Sequence, residues 1–533
     1  MGLGEEAVWL DRLAVAPSVQ VIAQYNERSA ARAGPPTMTG LETAILVAYF
    51  FVLSILGIYG WHRYYLVYEY MKNKDKVPGP APLPDDLPVV TIQLPIFNEM
   101  YVVDRLIDAV CEIDYPKDKL EIQVLDDSTD ETRDIAAGAV ERMRLLGFDI
   151  HYLHRTDRTG YKAGALDAAM KVARGEFIAI FDADFVPTPD FLTRTIGHFQ
   201  NPKVALVQAR WGHLNGQYSL LTKIQSILLD GHFVLEHGGR NRAGCFFNFN
   251  GTAGVWRRTA IGDAGGWQHD TLTEDLDLSY RAQLRGWQFL FVPDLVTPAE
   301  VPVEMNAFKS QQHRWAKGSI QTCRKVLPAI LASNLPRKVK IEAFFHLTAN
   351  FNYLLMCVLS ALMFPAMWVR YNMGWTEMLL IDVPLFLAAT ASVANFYLVS
   401  QRELYTDWRS RVKYLPIVMS IGIGLAVNNT KAVLEALFGG PGEFARTAKY
   451  GIASNRDGWQ HKKYHQKMSI QPVIEVILGL YFTSTVIYAL AHGIFGTLPF
   501  LMLFQFGFLY TGLTSLLQQF GDDMMVKAPQ IAD

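Results

Sequence analysis

Cysteine is scarce in this chain: 533 residues carry only Cys111, Cys245, Cys323 and Cys357. They are scattered and lack the paired spacing of a zinc site. So thin a supply points to a reducing compartment and away from a disulfide framework. Charge is sparse as well. Asp, Glu, Lys and Arg make up 19% of the residues and the net charge is -2. No field of one sign is available to attract a polyanion, which excludes a nucleic-acid partner. Nucleotide motifs of the common kinds are also missing. No G-x-G-x-x-G follows the first strand-like stretch and no G-x-x-x-x-G-K-[ST] occurs, which disfavours dinucleotide and P-loop sites. Residues 1–38 lack the short charged-then-apolar pattern of a cleaved signal and are expected to be a peripheral extension.

What the chain has in quantity is apolar residues, 50% of the total. From about Leu41 to Tyr59 they run long enough to cross a bilayer. Trp61, Tyr64 and Tyr65 then suit an interfacial belt, and Lys72, Lys74 and Lys76 follow. After about residue 335 further spans are expected at about 343–368, 377–400, 472–492 and 495–517. Lys and Arg cluster at 70–76, 337–340, 402–413 and 446–467, whereas the turns at 371–376 and 492–497 carry none. This bias predicts a multi-pass protein of the plasma (inner) membrane with residues 70–340 and 401–470 in the cytoplasm. Tyr414–Phe438 is interrupted by Asn428, Asn429, Lys431 and Glu435 and is expected to be an interfacial helix. The count is then five spans; six is the alternative if this stretch crosses.

Between the first span and the rest lies a polar region with α/β character. Val89–Leu94, Glu121–Leu125, Asp149–Leu153 and Glu176–Ile180 are expected strands, separated by helical stretches. The alternation predicts a mainly parallel sheet with right-handed crossovers. The organisation expected is an extension at 1–38, a first membrane helix within 39–70, and a catalytic domain at 71–303. A helix at 304–335 borders the membrane, spans fill 336–400, and an interfacial helix and loop occupy 401–470. Spans at 471–520 and a tail at 521–533 complete it.

Acids gather at the expected strand ends. Asp182 and Asp184 leave the fourth strand two residues apart, so their side chains point the same way. Paired carboxylates repel unless a cation sits beside them, and hard oxygens suit Mg²⁺ or Mn²⁺ carrying phosphate. Asp126 and Asp127 end the second strand, where an acid can accept from a base N–H; Asx-turn chemistry is the plain alternative. Glu99 lies in the turn after the first strand. Arg158 and Lys162 flank a helix start and could serve a diphosphate. Phe246–Gly254 mixes aromatic and small residues, including Asn250 and Gly251, which suits a sugar face or a buried strand pair. Glu274 and Asp275 open a helical stretch, either as acids favoured at a helix start or, for Asp275, as a general base. Gln311, Arg314 and Trp315 lie on a helix before the membrane, and Phe444, Arg446, Thr447 and Lys449 lie between membrane segments.

In this order the pattern resembles the membrane-embedded family 2 glycosyltransferases, which include the cellulose, chitin and hyaluronan synthases. Asp126–Asp130, Gly160–Leu166, Val207–Trp211, Phe249–Arg257, Gly265–Trp267 and Gln311–Trp315 look closest to the cellulose-synthase-like A and C groups. The resemblance implies a GT-A fold, a Rossmann-like sheet inserted between transmembrane helices. It implies a divalent metal at Asp184 with Asp182 nearby, and a nucleotide-diphosphate sugar (UDP-glucose or GDP-mannose) held by Asp126 or Asp127, Glu99, Lys162 and Asp182. Asp275 would be the base beside Glu274. Gln311, Arg314, Trp315, Asn250 and Gly251 would bind acceptor and diphosphate. Phe444, Arg446, Thr447 and Lys449 would form a gating loop. The product implied is a β-linked mannan, glucomannan or glucan threaded through the bilayer past Asn350, Asn352, Tyr353 and Asn395. An enzyme adding one or a few sugars to a membrane lipid would share the same set. Two departures argue against a cellulose-only product. Phe249-Asn250-Gly251 stands where cellulose synthases read F-x-C-G, and Phe444–Lys449 stands where they read F-x-V-T-x-K.

Overall fold

The computed structural model describes residues 38–375, 384–385, 387–440, 442, 446–452, 457–459, 462–464 and 469–527, with side chains to residue 520. The expected gating residue Phe444 and residues 377–383 and 386 of the expected 377–400 span lie outside them.

Seven strands form one mixed sheet: β1 (Val90–Ile96), β2 (Leu120–Asp126), β3 (Asp149–His154), β4 (Phe177–Ile180), β5 (Val204–His213), β6 (Gly254–Arg257) and β7 (Gln288–Ala299). Their order is β3-β2-β1-β4-β6-β5-β7. The first four are the strands expected and run parallel. The other three complete the sheet, and β6 is antiparallel to both β4 and β5.

In β1, Val90, Ile92, Leu94 and Ile96 enter a core shared with the Val103–Cys111 and Thr132–Leu145 helices. The alternate residues Thr91 and Gln93 are also buried, and each bonds its in-register neighbour on β2. Thr91 donates to Glu121 at 2.5 Å and Gln93 to Gln123 at 3.1 Å. Such pairing offsets much of the cost of burying four polar side chains. On the other face, Ile178 and Ile180 pack with Leu166, Phe247, Phe249, Trp256 and Leu278. Register places Ile96 beside Asp126 and Gln93 beside Ile180. Asp127, Glu99, Asp182 and Asp184 therefore leave the sheet at one edge, the carboxyl edge where parallel sheets bind ligands.

Among the described residues, four helices are long and apolar enough to cross a membrane: Gly40–Lys72, Phe351–Asn372, Gln471–Ala491 and Phe495–Phe520. Residues 408–438 are not one continuous helix. Trp408–Gly424 and Ala426–Phe438 meet at 41° and together have the length and apolarity of a fifth, broken span or of a re-entrant loop. The first half packs on the last span, where Gly424 and Gly507 allow backbone contact. The second half, beginning near Asn428 and Asn429, packs on the Met305–Ala332 helix.

Candidate active site

One open cleft of about 1260 Å³, its mouth included, lies at the carboxyl edge of the sheet. Glu99, Asp127, Lys162, Asp182, Asp184, Asn250, Gly251, Glu274, Asp275, Gln311, Arg314, Trp315, Arg446, Thr447 and Lys449 all line it. These residues span 350 positions of chain yet share one space. Asp126 is the exception. It is wholly buried behind the cleft, where it accepts from the Ser128 amide at 2.9 Å and the Tyr152 hydroxyl at 2.5 Å. Asp127 is the acid that faces inward, held by Arg155 through bonds of 2.8 and 2.6 Å. Arg158 stacks at 3.3 Å on the Phe97 ring beside it.

Each carboxylate after β4 has its own lysine. Lys162 Nζ lies 2.5 Å from Asp182 and donates to the Gly251 carbonyl at 2.9 Å. Lys449 Nζ lies 2.6 Å from Asp184 and 2.9 Å from Glu99. Burial lowers the pKa of both lysines, but the neighbouring carboxylates outweigh it and leave them above the ordinary value. Both are cations at any working pH.

Asp275 opens the Glu274–Leu284 helix and accepts from the Leu276 amide at 2.7 Å. Burial, and next the charge of Glu274, push its carboxyl up to about 7. Burial likewise raises Glu274. A base poised near 7 is what proton abstraction from a hydroxyl requires. Gly251 holds a positive φ of 80°, and a β-carbon there would stand 3.0 Å from Asp275 Oδ2 and 3.4 Å from Lys162. The backbone around it is pinned by side chains. His237 bonds the Asn248 carbonyl at 2.9 Å, Ser279 accepts from the Phe249 amide at 2.9 Å, and Gln208 accepts from the Asn250 amide at 3.2 Å.

Gln311, Arg314 and Trp315 lie at i, i+3 and i+4 of the Met305–Ala332 helix and so share a face. One turn beyond Arg314, Gly318 touches Thr273, just before Glu274; a β-carbon would come within 2.8 Å of the Thr273 amide nitrogen. That approach joins the Arg314 face to the Asp275 helix. The loop of Arg446–Ile452 closes another side. Tyr450 donates to Glu304 at 2.9 Å, Arg446 stacks at 4.1 Å on Tyr464, and Tyr464 bonds Asp130. Thr447 Oγ1 and Arg446 Nη1 are buried without hydrogen-bond partners, although Glu99 lies 4.0 Å from the latter. Trp211, from the Val207–Trp211 motif, also lines the cleft, as do His213 and Glu300, which the sequence did not single out. Trp211 and His213 belong to β5 and Glu300 follows β7, strands that were not anticipated.

Acids and cations thus converge on the ligand edge of an α/β sheet that has long apolar helices beside it, the arrangement of an enzyme cleft. Residues 88–318 match the family model described as "Glycosyltransferase like family 2". Glucomannan 4-beta-mannosyltransferase 1 of Oryza sativa subsp. japonica is 45% identical over 283 residues, covering 51% of this chain and 54% of that one. Glucomannan 4-beta-mannosyltransferase 2 of Arabidopsis thaliana is 37% identical over 415 residues, covering 74% of each. The chain thus spans about half of the rice relative and about three quarters of the Arabidopsis one. The solved mannosyltransferase PcManGT from Pyrobaculum calidifontis, in complex with GDP-Man and Mn²⁺, is similar over 74% of this chain and 98% of its own, with 21% identity and a TM-score of 0.47. The chain belongs to the family 2 glycosyltransferases.

Proposed function

We propose that this enzyme is a processive, inverting glycosyltransferase that builds a β-1,4-mannan or glucomannan from a nucleotide-diphosphate sugar and passes it through its own membrane helices. The observation that carries the reading is a second cavity next to the catalytic one. It is open and measures about 1270 Å³ with its mouth included, lies among the apolar helices, and is lined by Tyr59, Arg63, Asn350, Asn352, Tyr353 and Tyr397 together with leucines and methionines. Asn395 is not on its wall. Aromatic and amide side chains of this kind suit a sugar chain, stacking on its C–H faces and bonding its hydroxyls. Leu229 lines the catalytic cleft and Leu228, its neighbour on the same helix, lines the membrane cavity. One helix thus forms a wall common to both.

The donor's diphosphate would lie between Lys162, Arg314 and the loop, where Arg446 and Thr447 hold donors without hydrogen-bond partners. Asp182 and Asp184 supply hard oxygens for Mg²⁺ or Mn²⁺. Among the described residues no group of three or more His, Cys, Asp or Glu side chains forms a closed cage. Two carboxylates with open positions fit an ion that shares phosphate oxygens, and Asp184 Oδ1 is buried against a lysine ammonium. A divalent ion bound there would neutralise the departing diphosphate. Asp275 takes the proton from the acceptor hydroxyl as that oxygen attacks the sugar carbon from the opposite side, giving a β-linkage from an α-linked donor. Trp315 presents a face for the terminal sugar, which returns to the same place after each addition.

The relatives' names point to mannosyl transfer, so of the two donors expected GDP-mannose is tested first and UDP-glucose second. Membranes containing the enzyme are incubated with Mg²⁺ or Mn²⁺ and each donor, with Asp275→Asn as control. A long, mannanase-sensitive polymer absent from the control is expected. A chloroform-soluble product alone would overturn the polymerase reading in favour of transfer to a lipid.

A further inference from the structure

The Leu220–Gly231 helix widens into a π-helical turn, His232–His237, before resuming at Gly238–Arg242. Such turns are rare and are frequently found at functional sites. This one carries a hydrogen-bonded chain that ends at the catalytic cleft. His232 Nδ1 lies 2.8 Å from Glu236 Oε2, and His232 Nε2 lies 2.9 Å from Asn250 Nδ2.

The chemistry of the chain dictates its polarity. Burial opposes ionisation of Glu236, but the bond from His232 and the charge of Arg240, 3.6 Å away, hold it well below the usual carboxylate range. The Asn250 amino group that faces Nε2 only donates, so the ring carries its proton on Nδ1, toward the Glu236 carboxylate. The carbonyl end of the amide points the other way. Asn250 lines the cleft, and its Oδ1 is buried with no hydrogen-bond partner. A buried acceptor left in that state is costly, which makes a sugar hydroxyl a favoured occupant. The backbone leading into the residue is pinned at the Asn248 carbonyl and at the Asn250 amide itself, which fixes where the side chain starts.

We infer that His232 and Glu236 are positioning residues for glycosyl transfer, locking the Asn250 amide so that its carbonyl accepts a hydrogen bond from a hydroxyl of the acceptor sugar. This rests on the glycosyl-transfer reading of the cleft. It adds a specificity element, because a site built to bond one hydroxyl rejects sugars that lack it or turn it elsewhere.

The test uses the full chain in membranes with GDP-mannose and Mn²⁺, recording nucleotide released and mannose incorporated in the same reaction. Glu236→Gln keeps the volume but lets the side chain donate to Nδ1. The ring proton then moves to Nε2 and Asn250 turns its carbonyl toward it. In Glu236→Gln and His232→Ala the fraction of released nucleotide that appears as polymer is expected to fall by on the order of tenfold, since water replaces a misplaced acceptor. Donor KM is expected to stay within about twofold, as the donor is bound elsewhere. His232→Gln, which can still accept from Asn250, is expected to recover most of the coupling. Unchanged coupling in Glu236→Gln overturns the inference. So does an equal loss of donor binding and turnover that His232→Gln does not relieve. The polymerase reading is judged separately, on the wild type: if that releases nucleotide and makes no polymer, the reading itself fails.

Discussion

The ammonium of Lys449 lies 2.6 Å from the Asp184 carboxylate, so a loop residue more than 260 positions away occupies the charge-balancing place beside the D-x-D pair. Glu99 shares the same ammonium at 2.9 Å. A divalent ion at Asp184 has to compete with this tethered cation. Lys449→Met is expected to tighten nucleotide-free Mn²⁺ binding by roughly tenfold, equivalent to about 1.4 kcal/mol. Titration of the detergent-solubilised enzyme followed by Mn²⁺ spin resonance reads this directly. Unchanged affinity would place the metal elsewhere.

Asp275 is expected to set the acid limb of the rate profile. Its carboxyl is pushed up to about 7, first by burial and then by Glu274. The base acts only when unprotonated, so kcat/KM should fall about tenfold per pH unit below that value and level off above it. Asp275→Asn should lose on the order of a hundredfold or more in polymer formation at all pH values, with nucleotide binding retained. A mutant with the wild-type profile would assign the proton to another group.

Gly318 makes the contact that brings the Arg314 face to the Asp275 helix. A β-carbon there would lie 2.5 Å from Thr273 Cγ2 and 2.8 Å from its amide nitrogen. Gly318→Ala must push two helices apart at a rigid backbone contact, which costs about 1–3 kcal/mol. A lower melting temperature and a larger loss of kcat than of donor KM are expected. Wild-type activity with a lowered melting temperature would show that the cleft tolerates the shift.

The membrane cavity offers a cleaner substitution. Gly422 lines it, and a β-carbon there meets nothing within 4 Å. Gly422→Phe should therefore enter the cavity without disturbing the packing. If the polymer passes this way, chain length should fall several-fold while nucleotide release continues, as read by size-exclusion of the radiolabelled product. Chains of normal length would exclude this route.

Lys309 and Glu475 form an ion pair of 2.8 Å, buried between the Met305–Ala332 helix and the apolar Gln471–Ala491 helix. Removing one partner strands a charge out of water, and Glu475→Ala is expected to destabilise by about 3–5 kcal/mol. Replacing both with Met and Leu should recover most of that stability, measured by thermal unfolding in detergent.

The four parallel strands and the convergence of acids at one edge were legible from residues alone. Strand alternation and parallel register are local rules, and they carry Asp127, Asp182 and Glu99 to the same edge whatever surrounds them. Four of the five expected apolar spans match long apolar helices for a similar reason: in lipid a helix must satisfy its own backbone, so length and hydropathy are a strong local signal. The second half of the sheet was not. β6 has four residues and is antiparallel, and β5 to β7 owe their order to long-range pairing that no local pattern encodes. Asp126 and Asp127 are adjacent and chemically identical, yet one is buried behind the cleft and the other faces it. Only side-chain direction at the end of β2 separates them. The pairings Lys449 with Asp184, Gly318 with Thr273 and Asn250 with His232 were likewise invisible, because each joins residues whose distance in space is unrelated to their separation in the chain. Residue types set which chemistry was available; packing decided which of those groups meet.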